Sequence, residues 1–237
     1  MNRQRNNNYR HPSPLLSALG IHLLSALSRS EYKPPVTIGL LLLNICVHVS
    51  PHPFLFGYYL SDLHQNCLRP DLIISRFVNH GELMVNRLLL SSVIHVDDAH
   101  LYFNMVSLCW KGIHLEKEMG SVRFLKLVIY SVVTSHLLVV LSALALDLLD
   151  CDKSVSGMQS CAVGFSAVLF SLKYVWNVDS SGQSFIYGLS VPTKYAAWLE
   201  LVVISIVTPN ASFVGHLAGI LSGYFYVRCL KHTALFS

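Results

Sequence analysis

The run from Phe124 to Leu146 is apolar over a length that crosses a bilayer, and no other feature constrains the fold as strongly. Lipid offers a backbone no hydrogen bonds, so a spanning segment must be a helix or part of a closed barrel, and continuous apolarity selects the helix. Further runs lie at Pro34 to His52, Ala99 to Ile113, Cys161 to Asn177, Tyr195 to Val207 and Ala211 to Leu230, several of them shorter than ideal. Composition agrees. Hydrophobic residues make up 53% and charged ones 13%, against about 25% charged in soluble domains. The sequence therefore predicts an all-α, polytopic membrane protein of six transmembrane helices in one domain.

Charge placement orients the spans. Residues 1 to 33 form a polar arm in which Pro14 to Ser28 is too short and serine-rich to span and reads as an interfacial helix. Residues 34 to 230 hold the six spans and 231 to 237 a short tail. With a cytoplasmic amino terminus, the cytoplasmic side carries thirteen basic residues, among them Arg3, Arg29, Lys111, Lys117, Lys173 and Arg228. The other side carries four, Arg69, Arg76, Arg87 and Lys153, as the positive-inside rule requires. The amino terminus is also rich in Arg and Ser and lacks an acid before Glu31, which fits an organellar transit peptide as an alternative. A net charge of +4 is modest, and no nucleic-acid partner is expected. The six cysteines show no C-x-x-C or zinc spacing, so neither a disulfide framework nor a structural metal is expected, and most should be free thiols.

Two polar residues inside these runs call for an explanation. Ser166 follows Gly164 in one run, and His216 sits in another, ahead of Gly219 and Gly223. A serine that bonds back to its own helix is tolerated in lipid, but an intramembrane histidine is costly and marks a functional site with a partner. Both residues lie five positions after the start of an even-numbered span, about 7 to 8 Å below the same non-cytoplasmic surface at 1.5 Å per residue. His100 and Asn104 share one face near the start of span two. Such a pocket suits acyl transfer, with Ser166 as nucleophile and His216 as its base. His100, Asn104 and the backbone N–H groups opening span four would hold the oxyanion. No carboxylate is placed to orient His216, and Phe170, four residues after Ser166, could stack on the imidazole instead. Gly164, Gly215, Gly219 and Gly223 would let spans four and six approach.

The chain resembles the rhomboid family of intramembrane serine proteases over about residues 34 to 230. The resemblance rests on Gly164-Phe165-Ser166, on His216 with Gly219 and Gly223, on His100-Leu101-Tyr102-Phe103-Asn104 with His95 five residues upstream, and on Glu116 with Gly120. The stretches 95 to 105, 110 to 113 and 160 to 166 look like the endoplasmic-reticulum branch. The resemblance implies six helices, a substrate gate near spans two and five, a lumen-facing dyad without an acid, no cofactor, and membrane proteins as substrates. Asn86-Arg87 stands where many rhomboids have Trp-Arg, and Phe170 where tyrosine is common. The similar animal proteins engage ubiquitin and a segregase ATPase through a long tail; this chain ends at Ser237, so those contacts are not expected.

Two other classes are weighed against the protease. A catalytically silent rhomboid-like protein would bind membrane clients in quality control, but would lack the serine or the histidine. A metal or proton transporter is suggested by twelve histidines, yet the one His-x-x-x-His pair, His48 and His52, is interrupted by Pro51 and lacks a third ligand. Glu116 and Arg87 are expected to fix loops, and Glu200 to bond a neighbouring helix. His95 with Asp97 and Asp98 could orient or hydrate the pocket, or equally form an interfacial polar cluster at a helix start, with the carboxylates near the positive end of its dipole. Asn210-Ala211-Ser212 is a sequon. It should stay unglycosylated at the membrane surface, so wild type and Asn210→Gln should migrate identically with and without glycosidase.

Overall fold

The computed structural model describes residues 13–49, 63–186, 188–208 and 211–233. Asn210, and the His52 end of the first apolar run, lie outside the described residues. Helix α1 (Pro14–Arg29) starts at Ser13, whose hydroxyl accepts from the Leu16 N–H at 3.3 Å. Its Leu19 and Leu23 are buried in the main core with Leu101, Met105 and Leu108. The segment expected to lie at an interface thus packs on the bundle along one apolar edge.

Each of the six apolar runs contains one helix. They are α2 (Pro35–Val49), α6 (Asp98–Met119), α7 (Ser121–Leu148), α9 (Ser166–Asn177), α10 (Ala196–Val207) and α11 (Phe213–Phe225), the last continued by a π turn over Tyr226–Leu230. Ser121–Leu148 and Phe213–Leu230 are long and apolar enough to cross a membrane. Helix α9 is short and central: α6, α7, α10 and α11 pack around it, and nine of its twelve residues are buried. Between α2 and α6 the chain forms short helices α3 (Leu63–Asn66), α4 (Pro70–His80) and α5 (Val85–Leu90), and α8 (Lys153–Ser156) follows α7. Strands β1 (Gln183–Ile186) and β2 (Leu189–Pro192) pair antiparallel in a hairpin between α9 and α10.

Two expectations are corrected. The run from Cys161 is not helical throughout, because residues before Ser166 approach in extended form and Leu68 pairs with Ala162 in an antiparallel bridge. Ser166 therefore opens its helix instead of lying one turn inside it. Cys67 and Cys161 form a disulfide across 94 residues, while Cys46, Cys109, Cys151 and Cys229 are free. Linear spacing carried no trace of that pairing. The bridge beside it brings the two Cα atoms to 5.3 Å, within disulfide reach. Arg87 is buried and donates to the Cys67 carbonyl at 2.9 Å and the His64 carbonyl at 3.1 Å, fixing the same loop from below.

At the opposite end of the bundle, Glu116 is fully buried and ties three helices together. Its carboxylate accepts from the Val36 and Thr37 N–H groups at 2.9 and 2.8 Å, from the Thr37 hydroxyl at 2.7 Å and from the Ser121 hydroxyl at 2.8 Å. Those two amides are orphan donors in the first turn of α2, so a side chain of α6 supplies the cap that α2 lacks. Gly120, at φ 84°, then turns the chain from α6 into α7 with its N–H on the Glu116 carbonyl at 2.9 Å. Glu116→Gln would point an amide NH2 at donors, and hydrogen bonds to a charged acceptor contribute about 1.5 to 3 kcal/mol each. The expected loss is about 2 kcal/mol of stability, read as a lowered Tm in detergent; an unchanged Tm would show that the cap does not hold α2.

Candidate active site

Ser166 is the first residue of α9 and His216 is in the first turn of α11. Their side chains meet, with His216 Nε2 3.0 Å from Ser166 Oγ. The meeting depends on how closely the two helices pack. A Cβ on Gly219 would collide with the Ala167 carbonyl, and one on Gly223 would lie 2.8 Å from the Ser171 carbonyl. Glycine is required at this crossing because side chains there would hold the backbones apart. Phe170, one turn below Ser166, stacks on the His216 ring with centroids 4.6 Å apart at 31°. His216 Nδ1 is buried without a hydrogen-bond partner. The imidazole is thus oriented by ring packing from one side and the serine from the other, with no carboxylate behind it among the described residues.

Gly164 serves a different purpose from the other two glycines. It adopts φ +109°, and its N–H donates to the Ser91 carbonyl at 2.8 Å. The His100 ring lies directly on its α-carbon, so that a Cβ there would stand 2.5 Å from Cε1. Gly215 faces Ser212 of its own helix start and takes no part in the crossing. Helix α9 begins without a side-chain cap, which leaves first-turn N–H groups and the positive end of its dipole at Ser166. Negative charge developing beside Ser166 would therefore meet backbone donors and the His100 ring.

Asn104 is nearby but differently engaged. Its Nδ2 donates to the His100 carbonyl at 2.8 Å, one turn up its own helix, and Oδ1 is buried without a partner. One amide hydrogen is left for the pocket. His95 packs edge-on against His100 at 5.0 Å between centroids and lies 6.4 Å from His48, whose Nε2 is 2.8 Å from Asp98 Oδ1. Burial, with the His100 and His48 imidazoles beside it, pushes His95 down to about 3, so it stays neutral and supports His100 as a packing surface. Asp97 caps α6 by accepting from the His100 N–H at 2.7 Å, which fixes the first turn that carries His100. Among the described residues no group of three His, Cys, Asp or Glu side chains is arranged to hold a metal ion.

Some participants were not legible from sequence. His136, in the middle of α7, reaches the Leu88 carbonyl at 2.5 Å and lines a cavity of about 30 Å³ beside Ser166, with Gly164, Ala167 and Ser212. That volume admits a water or a group the size of a methyl. The Cys67–Cys161 disulfide anchors the extended segment that leads to Gly164. A usable signal existed for it: both cysteines fall on the same side as Ser166 in the six-span topology that the sequence predicts. Glu200 forms an ion pair with Lys173, about two turns beyond Ser166 on α9.

The family model described as Rhomboid domain matches residues 82–233. The chain is 40% identical to Rhomboid-like protein 14, mitochondrial, of Arabidopsis thaliana over 90% of its own length and 61% of that protein's. It is 39% identical to the human Rhomboid-related protein 4 over 82% of its own length and 57% of that protein's. A more distant relative, 31% identical over 59% of this chain and 45% of its own length, is Rhomboid-type serine protease 2 of Yarrowia lipolytica. The chain thus spans about three-fifths of the first two relatives. No solved structure matches. Replacing Gly164 by alanine forces an L side chain to positive φ and into His100, at a cost of about 1 to 3 kcal/mol. Gly164→Ala should therefore slow covalent labelling of Ser166 by an active-serine probe roughly tenfold or more; labelling at the wild-type rate would mean that this loop does not shape the site.

Proposed function

The chain belongs to the rhomboid family, whose members are embedded in membranes, and from that premise we propose that it is an intramembrane serine endopeptidase acting on transmembrane helices of other membrane proteins. The observation that carries this reading is the 3.0 Å contact between His216 Nε2 and Ser166 Oγ at the uncapped start of a buried helix. Ser166 attacks the scissile carbonyl carbon while His216 takes the hydroxyl proton. The carbonyl oxygen becomes an oxyanion facing the first-turn N–H groups of α9, His100 and the free hydrogen of the Asn104 amide. Collapse breaks the C–N bond, and His216 gives its proton to the leaving amine. The acyl-enzyme is then hydrolysed by a water that His216 activates in the same way, which restores Ser166.

Geometry also bears on the substrate. A fully hydrogen-bonded helix hides its carbonyls, so substrates should unwind near the face that carries the dyad. A methyl-sized cavity beside Ser166 favours a small residue at the cleavage point. In the proposed topology the protein spans the membrane six times with the dyad toward the non-cytoplasmic side. A disulfide on that side suits the endoplasmic-reticulum lumen, our proposed compartment. The name of the Arabidopsis relative supports a mitochondrial reading instead.

Labelling with a fluorophosphonate probe tests the dyad without a substrate. Folded wild type is expected to label, with Ser166→Ala and His216→Ala falling at least a hundredfold to the level of heat-denatured protein. Wild-type labelling no greater than that of Ser166→Ala, together with failure to cleave a helix-destabilised transmembrane reporter in liposomes, would sink the protease and favour a client-binding protein.

A further inference from the structure

A second cavity lies at the other end of α6 and α9, beneath the β1–β2 hairpin. It has a volume of about 410 Å³ and is lined among others by Trp110, Lys111, Lys173, Trp176, Asn177 and Thr193. Lys111 is eleven residues beyond His100 on α6 and Lys173 seven beyond Ser166 on α9, so along the helix axes the cavity stands about 10 to 16 Å from the level of the dyad at 1.5 Å per residue. It takes no part in the chemistry proposed for Ser166.

Its charge is not balanced. Lys111 is only 8% exposed, and its Nζ bonds the neutral hydroxyl of Ser107 on its own helix. Lys173 also reaches this cavity, and its partner is the single carboxylate of Glu200 on α10. Among the described residues no acidic side chain lines the cavity. Two lysines share one carboxylate in this buried site, where an ammonium group is costly unless an anion completes it. Hydroxyl and amide groups of Ser180, Thr193 and Asn177 face the same space and can bond a polyoxygenated ligand.

The rim indicates the level of the bilayer. Trp110 and His114 have ring centroids 4.7 Å apart, and His114 stacks on Trp176 at 4.9 Å and 28°. Trp110 is 61% exposed. Amphipathic rings of this kind concentrate where lipid meets water, at the level of the headgroups. Basic pockets between helices on the cytoplasmic side take anionic headgroups.

We propose that this cavity binds the phosphate headgroup of an anionic phospholipid from the cytoplasmic leaflet, with Lys111 as the principal cation and Lys173 beside it. The proposal rests on the membrane-embedded, six-span reading above but not on proteolysis, which probe labelling of Ser166 reports separately. A bound headgroup would brace α6 against α9 and the hairpin.

The test uses the purified full chain in detergent, stripped of lipid, with dioleoyl phosphatidic acid, dioleoyl phosphatidylcholine or inorganic phosphate added. Native mass spectrometry and thermal shift read binding. The expected result is retention of phosphatidic acid at least tenfold above phosphatidylcholine. Lys111→Gln should abolish that preference and Lys111→Arg should keep most of it, while millimolar phosphate should neither raise Tm nor displace the lipid. Equal retention of the two lipids, an undiminished preference in Lys111→Gln, or an equal shift with phosphate alone would overturn the assignment. Should Lys111→Gln not fold, the wild-type protein still decides. Phosphatidic acid, and not phosphatidylcholine, must shield Lys111 from an amine-acylating reagent in peptide mapping, and failure to shield it overturns the proposal.

Discussion

Everything at the dyad depends on how closely two backbones pack. Gly219 and Gly223 let α11 lie against the Ala167 and Ser171 carbonyls of α9, and only at that separation can an imidazole from one helix reach a hydroxyl on the other. Because α9 is enclosed by four other helices, neither partner can be displaced without disturbing the whole bundle. The stacking of Phe170 on His216 uses the same closeness, and it substitutes packing for the carboxylate that orients histidine in many serine hydrolases.

The two ends of the bundle are held by different means. At the dyad end, covalent and polar ties converge on the segment before Ser166: the Cys67–Cys161 disulfide, the Leu68–Ala162 bridge, Arg87 on the Cys67 carbonyl and the Ser91 carbonyl on Gly164. That segment is irregular backbone, which survives inside a membrane protein only where its polar groups are paired. At the far end, one buried carboxylate, Glu116, gathers the starts of α2 and α7 onto α6. The site is therefore built on a rigid frame, as positioned chemistry requires.

The far end also carries buried charge of the opposite kind. Lys111 and Lys173 sit under the hairpin, Lys173 paired with Glu200 and Lys111 bonded to the Ser107 hydroxyl, where the sequence showed an excess of basic residues on a predicted cytoplasmic side. Positive-inside counting assigns such lysines to orientation. Their burial in a cavity with hydroxyl and amide groups gives them a further use.

The apolar runs, the lone Ser166 and His216 and the glycine spacing after His216 were legible in the sequence because each reports a local requirement. A span must satisfy its own backbone, an ionisable group in lipid needs a purpose, and a close crossing needs small residues. The sequence by itself determined the helical class, the family resemblance and the residues that should meet. Only the tertiary structure decided that the extended run to Ser166 delays the start of α9, that Cys67 pairs with Cys161, that His136 borders the site, and that Asn104 spends one amide hydrogen on its own helix. Those features depend on contacts between residues tens of positions apart, and hydrophobic periodicity along one segment carries no information about which distant segment will lie beside it.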